Sequence, residues 1–409
     1  MTTPHHATDF LHDLRRRSAT EGGVFWVDDG LLAVFEPHAA RKVSGANWSD
    51  LVMHDRLTDL LRRRSSTPVR WTRVRGAWLT QLHRLATAEH NVRMLERMEL
   101  TVGEVLGEDD VDLVMLAQEV AVRSLLPLAL SGLTDREAAV VHEDLHQKLV
   151  RLIALEPVRG PWGRLLFTTV QVRAGLVVRR VLRQRASGRR PRELDLADPF
   201  VDLLPELGMD RALDVVTAVL TAIGGPPGAA AASVLYELVR QPEWTERLTE
   251  ELAGADPERF FASPTRTAPV THRFVKEVLR MWSPPLVLMR QARQAFDLGP
   301  ATLKEGQGYL LSPHLIHRDG RNWQQPDTFD PDRFLPDAPH GPADKASYVP
   351  FGWAPKNCVG ADLGTTQLML LCYLMTTRYH LTVPDPDALT VAYRFAPVPQ
   401  AFRGTLAQR

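Results

Sequence analysis

Cysteine is scarce in this chain: two occur among 409 residues, Cys358 and Cys372, fourteen positions apart. A disulfide framework is excluded, because such folds need several cross-links in place of a large core. Net charge is missing as well, with 49 Lys and Arg against 49 Asp and Glu. That balance removes the basic surface a general nucleic-acid binder needs, so no nucleic-acid partner is expected. The N-terminus lacks an apolar run: Met1 to His6 give way to Asp9, His12, Asp13 and Arg15 to Arg17, with neither a signal core nor a membrane anchor. A cytoplasmic protein without membrane contact is expected. The sequence shows no internal repeat, which excludes solenoids and propellers, and no tract has the composition of a disordered linker. At 409 residues the chain exceeds the usual single-core size, and one large, subdivided domain over 1–409 is the reading.

What is present is mostly helical. Two apolar runs, Val24 to Val27 and Leu31 to Phe35, are joined by Asp28, Asp29 and Gly30, whose turn chemistry predicts a hairpin. From about Glu36 to Glu250 apolar residues recur at three- and four-residue spacing with Arg-rich outer faces, as in Leu176 to Gln184. The stretch Arg185 to Arg192 carries four arginines with Ser, Gly and Pro, and reads as a solvated connector. The last third mixes strand-like runs, such as Tyr309 to Leu311 and Leu389 to Tyr393, with Pro- and Asp-rich coil from Gln325 to Asp344. Many helices first and few strands late predict an α+β fold dominated by helix.

The segment Phe351-Gly352-Trp353-Ala354-Pro355-Lys356-Asn357-Cys358-Val359-Gly360 leads into Ala361 to Tyr379, which is apolar at helical period. It sets a cysteine at a helix N-terminus, where the macrodipole and free N–H groups favour thiolate and Gly360 lets the backbone approach sulfur. A lone cysteine is more often a buried structural residue, the reading kept for Cys372 among Leu370, Leu371 and Leu374. The segment, however, resembles the haem-binding loop of cytochromes P450 in Phe351, Gly352, Cys358 and Gly360. The resemblance implies Cys358 as axial iron ligand, haem b (iron protoporphyrin IX) as cofactor, and the P450 fold. Two positions depart from the pattern. Ala354 stands where the family has Gly, with less backbone freedom. Lys356 stands where Arg or His reaches a haem propionate, keeping the charge without the planar fork.

Other pieces follow in the family's order. Glu277 and Arg280 share a helix face, on their own an ordinary surface pair. Followed by Ser283-Pro284-Pro285 and Asp330 to Phe334, they resemble the Glu-x-x-Arg helix, which implies a structural network of Glu277, Arg280 and Arg333. Arg290 falls where the family places a propionate-binding Arg. Trp71 and Arg75 resemble its Trp-x-x-x-Arg motif, although such a pair is common on any amphipathic helix.

The helix crossing the haem face departs most. The family's Ala-Gly-x-acid-Thr pattern, which relays protons for dioxygen activation, aligns with Ala222-Ile223-Gly224-Gly225-Pro226-Pro227. Gly225 replaces the acid and Pro226 the threonine. Proline lacks an N–H and clashes with the preceding turn, so Gly224, Gly225 and Pro226 predict a broken helix with freed carbonyls, for instance on Thr221 or Ala222. Thr221 is the nearest hydroxyl and reads more readily as a solvent-facing or back-bonded helix residue.

The resemblance implies oxidative tailoring of a small molecule in secondary metabolism by a monomeric enzyme. Leu286, Val287, Leu288, Phe395 and Val398 would point at the pocket and suit a hydrophobic or aromatic substrate, though such residues serve equally as core. A separate ferredoxin or flavodoxin would supply electrons, docking near Lys356 and Arg70 to Arg75. Two readings stand beside this one: a haem-thiolate enzyme using peroxide, an activated N–O or O–O substrate or a redox-neutral rearrangement, and a haem-binding protein without turnover.

Overall fold

The structure, a computed structural model, describes residues 4–46, 71–154 and 160–409. Arg70 lies outside them, as does the side chain of Trp71.

The hairpin forms as its turn chemistry requires: β1 (Val24–Asp28) pairs antiparallel with β2 (Leu31–Val34), and Gly30 N–H donates to the Asp28 carboxylate at 2.8 Å. Late strands complete its sheet, in the order β1-β2-β4-β3, where β3 is Leu288–Gln291 and β4 is Gly308–Leu311. The β2–β4 pairing is parallel and β3–β4 antiparallel. Smaller sheets join Val111–Asp112, Arg403–Gln408 and Tyr379–Thr382, and pair Thr390–Tyr393 with Pro397–Gln400.

Six helices position the site: α1 (Leu113–Ala129), α2 (Asp135–Ala154), α3 (Leu204–Ile223), α4 (Pro226–Arg240), α5 (Pro269–Met281) and α6 (Ala361–Thr377). The Asp112 carboxylate caps α1 by accepting from Val114 N–H and Met115 N–H, so the chain turns from strand into helix there. The larger core lies among these helices and includes the fully buried Cys372, while a second core lies beneath the four-stranded sheet. Helix-dominated α+β organisation is thus observed.

The expected solvated connector is observed for Ala186 to Arg189, Pro191 and Arg192, which are exposed, but not for Arg185. Arg185 is completely buried against Asp195, with N···O 2.7 Å, and Arg190 and Arg192 pair with Glu137 and with Asp198 and Asp202. Carboxylates contributed by neighbouring segments neutralise the arginines, a pairing that composition within 185–192 does not reveal. The stretch Leu204–Arg240 is long and apolar enough to cross a bilayer by length and composition, but it packs largely inside the protein and breaks between α3 and α4.

Candidate active site

The loop before α6 wraps a cavity of about 310 Å³. Its register is fixed by two backbone bonds, Gly352 N–H to Val349 O at 3.0 Å and Cys358 N–H to Phe351 O at 2.8 Å. Phe351, Lys356, Cys358 and Gly360 all border the cavity, and Cys358 keeps accessible surface there. Gly352 needs its glycine, with φ +77°, whereas Ala354 does not occupy a left-handed conformation; the expected penalty at 354 is absent. A Cβ on Gly360 would sit 3.9 Å from the Cys358 sulfur, an ordinary contact, so closeness to sulfur does not demand glycine there.

The expected shift of Cys358 toward thiolate is also corrected. Burial pushes the thiol upward, and the Gly360 N–H and the Arg75 guanidinium only partly offset this. Arg75 donates to Asn357 O at 2.7 Å and to Asn357 Oδ1 at 2.8 Å, which pins the residue before the cysteine and sets the charge beside sulfur. It does not border the cavity. Arg290, on β3, does; its Nε is buried without a hydrogen-bond partner.

Behind the loop, Glu277, Arg280 and Arg333 meet with fully buried side chains. Arg280 donates to both Glu277 oxygens at 2.8 Å, and Arg333 Nε donates to Glu277 Oε1 at 3.0 Å. One carboxylate cannot neutralise two guanidiniums, and the remaining donors go to carbonyls: His317 O, Pro326 O and Thr328 O from Arg280, and Gln324 O, His340 O and Thr328 O from Arg333. The network therefore ties the chain at His317, along Gln324 to Thr328 and at His340 to α5.

Facing the cysteine, the helix breaks where the glycines and prolines predict. Gly225 adopts φ −146°, ψ −74°, and Pro226 and Pro227 open α4, where a missing N–H costs least. Ala222, Pro226, Pro227 and Ala230 border the cavity, and none carries an acid or hydroxyl. Thr221 is exposed, its Oγ1 3.5 Å from Lys148 Nζ, and lies outside the cavity wall. Its carbonyl accepts Gly224 N–H at 3.3 Å. The carbonyls that lose their helical donors are those of Ala222 and Ile223, whose partners four residues on are prolines.

Of the expected substrate contacts, Leu288 borders the cavity. Leu286 is core, its N–H bonded to Phe395 O at 2.9 Å, Val287 packs against the smaller core, and Val398 is buried on its strand. Sequence reasoning missed Ser44, Gly364 and Gln367 on the cavity, and Gln118, whose Nε2 donates to Gly224 O at 3.0 Å. A lone Gln in the apolar run of α1 was the available signal.

Comparison with known proteins agrees with this geometry. The family model described as Cytochrome P450 matches residues 112–395. The sterol 14alpha-demethylase of Mycolicibacterium vanbaalenii is 27% identical over 227 residues, covering 53% of this chain and 50% of that protein. Cyclooctatin synthase of Streptomyces melanosporofaciens is 30% identical over 174 residues, covering 42% and 35%. The chain thus spans half or less of these relatives' length. Among solved structures, the cytochrome P450DA heme domain superposes with a TM-score of 0.76 at 18% identity, covering 98% of this chain and 93% of that one. With a family match over more than half its residues and the loop, charge network and helix order described above, the chain belongs to the cytochrome P450 family.

Proposed function

We propose that the protein is a haem-thiolate oxidoreductase that modifies a hydrophobic small molecule, with Cys358 as the axial ligand of haem b. The observation that carries this reading is the cavity with the Cys358 sulfur on its floor and an apolar helix break in its wall. The family implies a haem iron, and the residues present fit one. Arg290 brings a guanidinium with an orphaned buried Nε to the cavity, Lys356 adds a second cation, and Gly360 and Gly364 leave its floor free of side chains. When bound, the haem supplies iron-centred oxidation chemistry.

The chain's own part follows from its side chains. Cys358 must lose its proton to bind iron, and the Arg75 guanidinium and Gly360 N–H favour that form against the cost of burial. Arg290 and Lys356 would hold carboxylates at the cavity edge. Ala222, Pro226, Pro227 and Ala230 present apolar surface and move no proton, so protons must arrive through water or a substrate group; the Ala222 carbonyl can accept from such a donor. This specific lack supports the second reading, in which peroxide or an activated N–O or O–O substrate replaces dioxygen. Names such as cyclooctatin synthase among the relatives support a tailoring role in secondary metabolism; a ferredoxin or flavodoxin donor and a cytoplasmic monomeric form complete the proposal.

The experiment is spectroscopic and kinetic. Reduced protein with carbon monoxide should show the thiolate-type absorption and Cys358→Ala should lose it; retention of that band defeats the ligand assignment. Product formed per electron should be low on unrelated probe substrates, since a missing proton-transfer group costs about 100- to 10,000-fold where it acts. Gly225→Glu with Pro226→Thr should raise it. Efficient coupling by the unmodified protein on several unrelated probes would count against a proton supply that depends on the substrate.

A further inference from the structure

Helix α1 crosses the broken helix at its weakest point: Gln118 bonds the break directly, and the next residue, Glu119, bonds α2, which packs against it. Gln118 is 2% exposed, and its Nε2 donates to Gly224 O at 3.0 Å. The amide reaches that carbonyl by lying across Gly228. A Cβ at 228 would meet Gln118 Oε1 at 1.5 Å, its Cδ at 2.3 Å and its Cα at 2.9 Å, so backbone as well as side chain occupies the space. Gln118 Oε1 is buried without a partner. The side chain therefore accepts a desolvated, unpaired oxygen in order to place one N–H on the break. Glu119 turns to α2, where its Oε2 lies 2.8 Å from His142 Nε2 and its Oε1 3.5 Å from His146 Nδ1. Between those histidines, Leu145 lies against Gly224, 3.1 Å from where a Cβ would stand.

We propose that Gln118 is a positioning residue for the cavity wall: its amide donates to the Gly224 carbonyl and so fixes the break, and Gly228 is glycine to admit it. Held this way, Ala222 on one side of the break and Pro226 and Pro227 on the other present one surface to a ligand above Cys358. Without the amide, the Gly224–Gly225 hinge has no bond across it from α1. The inference rests on the reading of this cavity as the ligand site.

The test is hydrogen exchange over residues 221–230 in the haem-loaded protein, together with the spectral affinity of imidazole. Gln118→Leu keeps the volume and removes the donor; exchange across the break should rise about two- to tenfold, as expected for one net hydrogen bond, and imidazole affinity should change. Gln118→Glu gives a chemical readout. Its carboxylate repels the Gly224 carbonyl, whereas its protonated form donates, so protection should return only as the medium becomes acidic. The unmodified protein is run in parallel, because Glu119, His142, His146 and the Arg123 that pairs with Glu119 and Glu104 also face this junction. Should Gln118→Leu fold poorly, Gly228→Ala decides: alone it should lose soluble holoprotein, and Gln118→Ala combined with it, which removes the 1.5 and 2.3 Å clashes and leaves only the Cα at 2.9 Å, should recover much of it. Unchanged exchange in Gln118→Leu, or a Gly228→Ala protein as sound as the double variant, overturns the proposal. The exchange readout needs no iron, so its failure is distinct from loss of the thiolate band, which overturns the cavity reading.

Discussion

The two sides of the cavity are built by different physics. On the cysteine side, Glu277, Arg280 and Arg333 bury three charges and satisfy them with fixed carbonyls, so the Cys358 loop rests on a frame with one low-energy arrangement. On the opposite side no charge is spent: the helix is interrupted by glycine and proline, and its geometry depends on one amide from α1 and on packing against α2. A frame made of buried ions tolerates almost no substitution, while a wall made of backbone and small residues can change its chemistry without unfolding the protein. The frame residues Glu277, Arg280 and Arg333 accordingly keep the family's pattern, whereas Gly225 and Pro226 at the break depart from it.

Breaking the frame should have the largest effect. Arg280→Ala leaves Glu277 half-paired and strands carbonyls in the interior, at a cost of about 3 to 5 kcal/mol. Little soluble holoprotein should be recovered, and Arg280→Lys should not rescue it, because an ammonium cannot make the paired contacts of the planar fork. Pro227→Ala on the wall should change stability far less. Denaturant unfolding of both proteins checks the contrast, and normal haem content with an unchanged midpoint in Arg280→Ala would remove it.

Acidity should separate the two sides by sign. Glu237 on α4 is buried, accepting from Trp282 Nε1 at 2.7 Å and Gln241 Nε2 at 3.1 Å, and burial pushes its carboxyl up to about 7. Its native pKa lies above the unfolded value of 4.5, so its contribution is whole below 4.5 and is lost as pH rises to 7, a change of about 3 kcal/mol. His317 belongs to the frame: its Nε2 accepts from Val349 N–H at 2.8 Å and its Nδ1 lies 3.1 Å from Arg280 O. Burial and Arg280 push it down to about 3, so its contribution is whole above 6.5 and is lost as pH falls toward 3. Unfolding free energies measured across this range should show both limbs. Glu237→Gln should remove the decline between 4.5 and 7 and leave the acid limb; parallel profiles for the two proteins would show that Glu237 does not titrate this way.

The same contrast explains what could be read from the sequence. The loop around Cys358 and the Glu277–Arg280 turn are contiguous or nearly so, and their chemistry is carried by residues at short spacing. The break at Gly224–Pro227 was legible for the same reason, since proline acts on its own helix. Gln118 and Gly228 were not, because they meet through a crossing of two helices 110 positions apart in the chain. Nor were the partners of Arg185, Arg190 and Arg192, and Val398, placed at the pocket by the resemblance, lies buried on its strand away from the cavity wall.

The smallest effect tests the frame at its finest scale, within the cysteine loop. The family resemblance would assign glycine to position 354 as well as 352, yet only Gly352 has a positive φ, +77°. An L-residue pays about 1 to 2 kcal/mol in that conformation, and no neighbouring atom lies within 4 Å of its Cβ position, so Gly352→Ala should lose stability through backbone strain alone. Ala354 already occupies a conformation open to any residue. Ala354→Gly should therefore fail to relax the loop and instead lower stability by about 0.4 to 1 kcal/mol, because the glycine adds freedom to the unfolded chain. Both changes are read as shifts in unfolding midpoint of the haem-loaded protein, with the Cys358 absorption band as a check that the loop still holds its sulfur. A stabilised Ala354→Gly protein would mean that the loop carries strain at 354 after all, and the cysteine side would then be less settled than its buried charges imply.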